Sequence, residues 1–395
     1  MWQMKNLQKN MPVAVAMAMA SAAISCNGGT TGQTENKASF ITDAGKLSMI
    51  HSMKDLDGTG RLYEIDYTED YRLDDVMKPG ITEQTKLFGH IASLLFDSIP
   101  SATPEVKYGA GCSAFAAREA EGKGFMMGRN YDFRHFTPDN KSYMPTAAII
   151  VRTAPRGGKR SISMVDGLNL GFGQGFYNDG VTDLSMMMAL PYAALDGINE
   201  DGFAIGVLAL NEKQTNQETG KHRISTTVAI RMLLDKAATV KEAIAMLKDY
   251  DMDMRGNGHS NYHFFMADAT GDYAIVEYTF DKDRREPKVM EVFTADDSLR
   301  CVTNFYVAPS MTGTTDGWGS SHGKDRYETL RKTLGKKEYV MSEDEAMGLL
   351  KAVSQPPTEE LTSQTQWSAL YNLTEKTVRL TILREYAKEY KLFFK

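Results

Sequence analysis

Apolar positions along this chain alternate more often than they recur at helical spacing. Tyr63, Ile65 and Tyr67 alternate with Glu64 and Asp66, the period-two pattern of a half-buried strand. Leu87, Ile91, Leu94 and Leu95 follow the 3.6-residue period and predict a helix over 84–99, stopped by Pro100 and Pro104. From Cys112 onward strands dominate. Residues 114–117 and 125–127 flank Glu121-Gly122-Lys123-Gly124 and predict a hairpin. Further strands are expected at 147–152, 203–210, 263–268, 273–278, 289–294 and 299–303, and a last hairpin at 367–373 and 377–383. Two helical zones interrupt them. Thr239 and Glu242 have capping-box spacing ahead of Ala243, Ile244 and Leu247, and Ser342 and Glu345 repeat it ahead of Met347, Leu350 and Val353. Strand runs around grouped helices predict an α+β layered domain, not alternating βαβ units.

The chain has 395 residues, 42% of them hydrophobic, enough for one large domain or two ordinary ones. Lys plus Arg number 45 against 51 Asp plus Glu, so the electrostatic footprint of a nucleic-acid binder is missing. Three cysteines (Cys26, Cys112, Cys301) are too few for a disulfide scaffold or a four-thiolate zinc site. Cys301 lies in an apolar strand and reads as a small buried hydrophobe. His259 and His263 have i, i+4 spacing, but the strand pattern after them favours a structural role over metal binding. Gly171-Phe172-Gly173-Gln174-Gly175 lacks the third spaced glycine of a dinucleotide site. No metal or cofactor is expected.

At the N-terminus, Lys5 and Lys9 precede an apolar, small-residue run over 11–24, too short to span a bilayer comfortably. With Cys26 and the polar, glycine-rich Asn27-Gly28-Gly29 after it, this resembles a bacterial lipoprotein signal. The resemblance implies that residues 1–25 are a signal peptide, that Cys26 is lipidated, and that 26–40 form a flexible tether. The working protein is then exported and anchored to the cell envelope. A plain secretory signal with an incidental Cys26 is the alternative.

The densest polar cluster in an apolar setting is Gly111-Cys112-Ser113-Ala114-Phe115, followed by Gly128-Arg129-Asn130-Tyr131-Asp132-Phe133. Pairing of the two strands brings Arg129 and Asp132 beside Cys112. A guanidinium next to a thiol favours the thiolate, the nucleophilic form. Asp132 then has a cation to pair with and can accept a hydrogen bond from an amine on Cys112.

Those residues resemble the N-terminal nucleophile (Ntn) hydrolases of the choloylglycine hydrolase, or linear amide C–N hydrolase, superfamily. It includes bile salt hydrolases, penicillin V acylases, acid ceramidase and N-acylethanolamine amidases. The likeness runs from about Arg61 to the C-terminus. It implies an αββα sandwich of two antiparallel sheets flanked by helices. It also implies a backbone cut between Gly111 and Cys112, with 41–111 as propeptide or small subunit and 112–395 as the catalytic domain. The freed α-amine of Cys112 then serves as base, so no histidine is required. Carried over by position, Asn211 is the expected oxyanion donor and Asn304 a second polar orienter. Arg326 is expected near Cys112 or Asp132.

These features lead to an autoprocessed cysteine amidase acting on small-molecule N-acyl amides, with the membrane met only through the lipid anchor. Bile salt or penicillin acylase activity is the nearest alternative. A Cys–His peptidase without self-cleavage and a lipid-anchored binding protein without catalysis are readings from other classes. Met126, Met127, Met186, Met187 and Met188 suit either an acyl-chain pocket or core filling. Association into homo-oligomers stays open.

Overall fold

The computed structural model describes residues 37–80, 84–98, 110–120, 122, 124–137, 142–212, 214–254, 261–280, 287–294, 300–318, 320–357 and 363–395. The signal segment 1–25, Cys26, the first part of the tether and His259 lie outside the described residues.

Among the described residues, nine strands form one sheet. Their order is Lys54–Asp55, Leu62–Tyr67, Ala148–Thr153, Ser161–Asp166, Ala194–Asn199, Ala204–Leu210, Asn261–Ala267, Tyr273–Phe280 and Pro287–Phe293. A second sheet of seven runs Cys301–Val302, Ala110–Glu119, Phe125–Phe133, Thr365–Asn372, Thr377–Ile382 and Tyr390–Phe393, with Val340–Met341 added beside Ala110–Glu119.

Period-two alternation sorts each strand's side chains into two layers. Between the sheets, Ala114, Ala116, Met127 and Tyr131 meet Ile150, Met164, Ile198, Leu208 and Phe265. On the far side of the nine-stranded sheet, Ile149, Val151, Ile205 and Phe264 pack with helices Ala44–Ile50, Gln84–Leu95, Thr226–Lys236 and Val240–Leu247. On the far side of the other sheet, Phe115, Ala117, Met126 and Leu370 pack with helices Lys324–Lys336 and Glu343–Ala352. Helix, sheet, sheet and helix layers follow, as expected for an α+β sandwich.

The sheets are not purely antiparallel. Leu62–Tyr67 runs parallel to Ala148–Thr153, and Val340–Met341 parallel to Arg118 and Glu119. A parallel neighbour needs a long crossover, and each of these strands is separated from its partner by a long stretch of chain. The helix expected over 84–99 ends at Leu95, and the strand expected at 299–303 is paired only over Cys301–Val302. Strands Ser161–Asp166 and Ala194–Asn199 were not anticipated; both are buried nearly throughout, and their polar residues Ser161, Ser163, Asp196 and Asn199 lie inside the body instead of marking a solvent face. The Ser342–Glu345 capping box forms in full: Glu345 N–H donates to Ser342 Oγ at 3.2 Å and Ser342 N–H to Glu345 Oε2 at 3.0 Å. Asn199 closes the turn after Ala194–Asn199, its Oδ1 accepting from the N–H groups of Asp201 and Phe203.

The segment before Cys112 is woven into this body. Leu62–Tyr67 pairs with Ala148–Thr153 over its whole length, and Met49, Ile50, Leu87 and Ile91 are buried in the outer core. Each such side chain contributes about 1.5–3 kcal/mol when fully buried. A cut between Gly111 and Cys112 is therefore expected to leave the two pieces associated. Under denaturing conditions they should separate by mass, and in native size exclusion they should co-elute; loss of the N-terminal piece without denaturant would contradict this packing.

Candidate active site

Cys112 sits near the start of Ala110–Glu119, paired with Tyr131, while Gly111 faces Asp132 and Ala114 faces Arg129. Its backbone is held at both polar ends by side chains from other elements. The Cys112 N–H donates to Asn304 Oδ1 at 2.6 Å, and Arg326 Nη1 donates to the Cys112 carbonyl. Arg326 Nη2 also donates to Asn304 Oδ1, at 2.8 Å. Asn304 Nδ2 in turn donates to the Ala209 carbonyl at 2.8 Å, tying the cluster to the opposite sheet. Asn304 follows the short ladder of Cys301–Val302, where the chain leaves the sheet. The Thr303 carbonyl there accepts from His263 Nε2 at 2.9 Å, and His263 Nδ1 lies 3.0 Å from Glu277 Oε1.

Arg129 and Asp132 point to opposite sides of their strand. Arg129 is fully buried between the sheets, beside the Cys112 side chain, and donates to the carbonyls of Asn130 at 2.9 Å and Val207 at 2.5 Å. Its Nε lies 3.2 Å from Asp196 Oδ2. Asp196 also accepts from Trp367 Nε1 at 3.0 Å and from the Tyr371 hydroxyl. Burial works against the Arg129 charge, but Cys112 and Asp196 outweigh it and raise its pKa. For Asp196 the balance reverses: burial wins over Arg129 and the two donors, and its pKa is raised. Room for the guanidinium comes from Gly206, where a Cβ would lie 2.6 Å from Arg129 Cδ.

Asp132 faces the helical layer. Its Oδ1 accepts from Thr365 Oγ1 at 2.5 Å, its Oδ2 from Gln355 Nε2 at 2.8 Å, and Arg326 Nη1 is 3.6 Å away. Burial raises its pKa against the pull of Arg326, Thr365 and Gln355. In the intact chain the Cys112 N–H thus goes to Asn304, not to Asp132. Asn211 follows the strand Ala204–Leu210 and is exposed. Its backbone N–H donates to Asp316 Oδ2, and its side-chain amide is 3.3 Å from His322 Nδ1. It stands two residues beyond the carbonyl that Asn304 holds, at the edge of the cluster.

The structure thus gathers Cys112, Arg129, Asn304 and Arg326 tightly, puts Asp132 behind the same strand, and leaves Asn211 on the rim. Sequence reading missed Asp196, Gln355, Thr365 and the His263–Glu277 pair. Asp196 lies in Asp196-Gly197-Ile198-Asn199, a run with the composition of a turn, and nothing local in it marks the pairing with Arg129. The five methionines line no common wall: Met126, Met127 and Met187 with Met188 fall in three different core clusters. Among the described residues no histidine hydrogen-bonds Cys112, and no group of acidic, histidine and cysteine side chains is arranged to hold a metal.

Two measurements test this electrostatic picture. Asp196→Asn leaves Arg129 buried without its carboxylate and is expected to cost about 3–5 kcal/mol in chemical denaturation; an unchanged midpoint would contradict the pairing. Burial pushes the Cys301 thiol up to about 12. Alkylation near neutral pH should therefore leave Cys301 unmodified in the native protein and label it after denaturation, with peptide mapping as readout.

Comparison with known proteins gives a family match. The family described as acyl-coenzyme A:6-aminopenicillanic acid acyl-transferase matches residues 118–385, beginning six residues after Cys112. No curated protein matches the chain. Among solved structures, a mutant of the conjugated bile acid hydrolase from Clostridium perfringens has 15% identity and a TM-score of 0.46, with 71% of this chain and 92% of that chain covered. Penicillin V acylase from Agrobacterium tumefaciens has 18% identity and a TM-score of 0.44, with 69% and 83% covered. By the family match, which takes in more than half of its length, the chain belongs to the acyl-coenzyme A:6-aminopenicillanic acid acyl-transferase family, within the choloylglycine or linear amide C–N hydrolase superfamily of Ntn hydrolases.

Proposed function

We propose that the protein is a self-processed amidase that cleaves N-acyl amides through an acyl-thioester on Cys112. One observation carries the reading: Cys112, directly after Gly111, has its N–H held by Asn304, its carbonyl by Arg326 and its side chain against buried Arg129. A residue fixed at backbone and side chain alike is preorganised, which is what an N-terminal nucleophile needs.

In this reading the cut converts the Cys112 N–H into an amine that stays beside Asn304 Oδ1. The reference pKa of an α-amine is about 7.7–8.0, and a nearby guanidinium lowers it, so free base is present near neutrality. The amine takes the thiol proton, and Arg129 stabilises the thiolate. Sulfur attacks the amide carbonyl, and the side-chain amide of Asn211 donates to the oxyanion. The tetrahedral adduct collapses to a thioester as the α-ammonium protonates the leaving amine. Water, deprotonated by the same amine, then releases the acid and restores the thiol. We further propose acyl chains on Cys26 as the anchor and fatty acyl groups as the favoured acyl part, the latter on the likeness of Cys112-Ser113-Ala114-Phe115 to the ceramidase-type branch.

The mature wild-type protein, without residues 1–25, is expected to split into pieces of about 9 and about 31 kDa, at ~110 Da per residue. Cys112→Ala should remain a single inactive chain by intact mass. An uncut Cys112→Ala protein that still hydrolyses N-acyl amides at the wild-type rate rules the proposal out. Asn211→Ala should lower kcat by about 100-fold or more, the usual loss for one oxyanion donor, with cutting still complete. An unchanged kcat would remove Asn211 from that role.

A further inference from the structure

Gly111 is enclosed on the face away from the Cys112 thiol. A Cβ there would lie 2.5 Å from Gln355 Nε2 and 2.6 Å from Ser363 Oγ, closer than real Cβ contacts come. The two side chains are bonded together, Ser363 Oγ donating to Gln355 Oε1 at 2.8 Å. They are not a free surface that yields to a larger neighbour. Gln355 Nε2 is spent on Asp132 Oδ2 at 2.8 Å, and the Gln355 backbone N–H donates to Thr365 Oγ1 at 2.8 Å. Thr365 Oγ1 itself donates to Asp132 Oδ1 at 2.5 Å. Asp132 stands opposite Gly111 in the strand register and 3.6 Å from Arg326, which holds the Cys112 carbonyl. A side chain at position 111 therefore pushes on a wall whose other end positions the reacting residue.

We infer that Gln355 and Ser363 are specificity-determining positioning residues for self-cleavage: they admit only an unsubstituted α-carbon on the acyl side of the bond that Cys112 cuts. The inference rests on the self-processing proposed above. In that step Cys112 sulfur attacks the Gly111 carbonyl carbon, a C–S bond forms, and the C–N bond between Gly111 and Cys112 breaks. The nitrogen leaves as the new α-amine, carrying the thiol's proton. Water then attacks the thioester, releasing Gly111 as a carboxylic acid and returning the thiol. The first acyl group the sulfur carries is thus the chain's own, and its α-carbon lies against Gln355 and Ser363.

The test follows cutting by intact mass over time in the full chain, for wild type, Gly111→Ala, and Gly111→Ala combined with Ser363→Gly. Overpacking of this kind is expected to slow Gly111→Ala by about tenfold or more. Ser363→Gly removes the Oγ that the added Cβ would meet and the bond that fixes Gln355 Oε1, so that Gln355 can pivot about its remaining bond to Asp132, and should restore the rate to within about threefold of wild type. A purely structural defect at position 111 would not be repaired by making a hole at position 363. Cutting of Gly111→Ala at the wild-type rate overturns the inference, and so does a double variant as slow as the single one. A wild-type chain that never cuts overturns self-processing itself, and the inference falls with it.

Discussion

A permanently charged guanidinium sealed between two sheets is the constraint around which the site is arranged. Arg129 cannot shed its proton, so its burial has to be met by anionic or acceptor groups within reach. Asp196 and two backbone carbonyls meet part of it, and the Cys112 side chain adds to them. Of these partners, the Cys112 side chain is the nucleophile of the proposed reaction. Gly206 makes the arrangement possible by leaving the space in which the arginine lies across its strand.

The layers of the fold distribute the remaining tasks. Arg129 and the Cys112 thiol share the inter-sheet face, while Asp132, Gln355, Thr365 and Ser363 occupy the other side of the same two strands. Arg326 and Asn304 join the two sides through the Cys112 backbone. Separation of this kind lets the bond before Cys112 and the sulfur of Cys112 be held by different groups. In the proposed reaction, self-cleavage and turnover share a nucleophile without sharing every supporting residue.

Much of this was legible in the residues. The Cys112 and Arg129 blocks are local hairpin features, and their pairing follows from a turn between two apolar runs, so the register Ala114 to Arg129 was within reach. The layered α+β class followed from strand periodicity. The crossovers that make two pairs parallel were not readable, because nothing local marks which distant strand becomes a neighbour. Ala194–Asn199 was hidden for a related reason. Its Asp196 and Asn199 look like turn residues until Arg129, Trp367, Tyr371 and the Leu234 and Ala237 carbonyls are seen to satisfy them. Gln355 and Thr365 carry no motif at all; only the register of Thr365 opposite Asp132 and the bond from the Gln355 amide to Asp132 Oδ2 reveal them.

The most direct test of the central claim is to quench the reaction with acid during turnover of an N-acyl amide and map the acylated peptide by mass. The account predicts an acyl group in thioester linkage on a peptide that begins with Cys112, released by a mild nucleophile such as hydroxylamine. Steady turnover with the acyl group on another residue, or on a peptide still joined to Gly111, would contradict it.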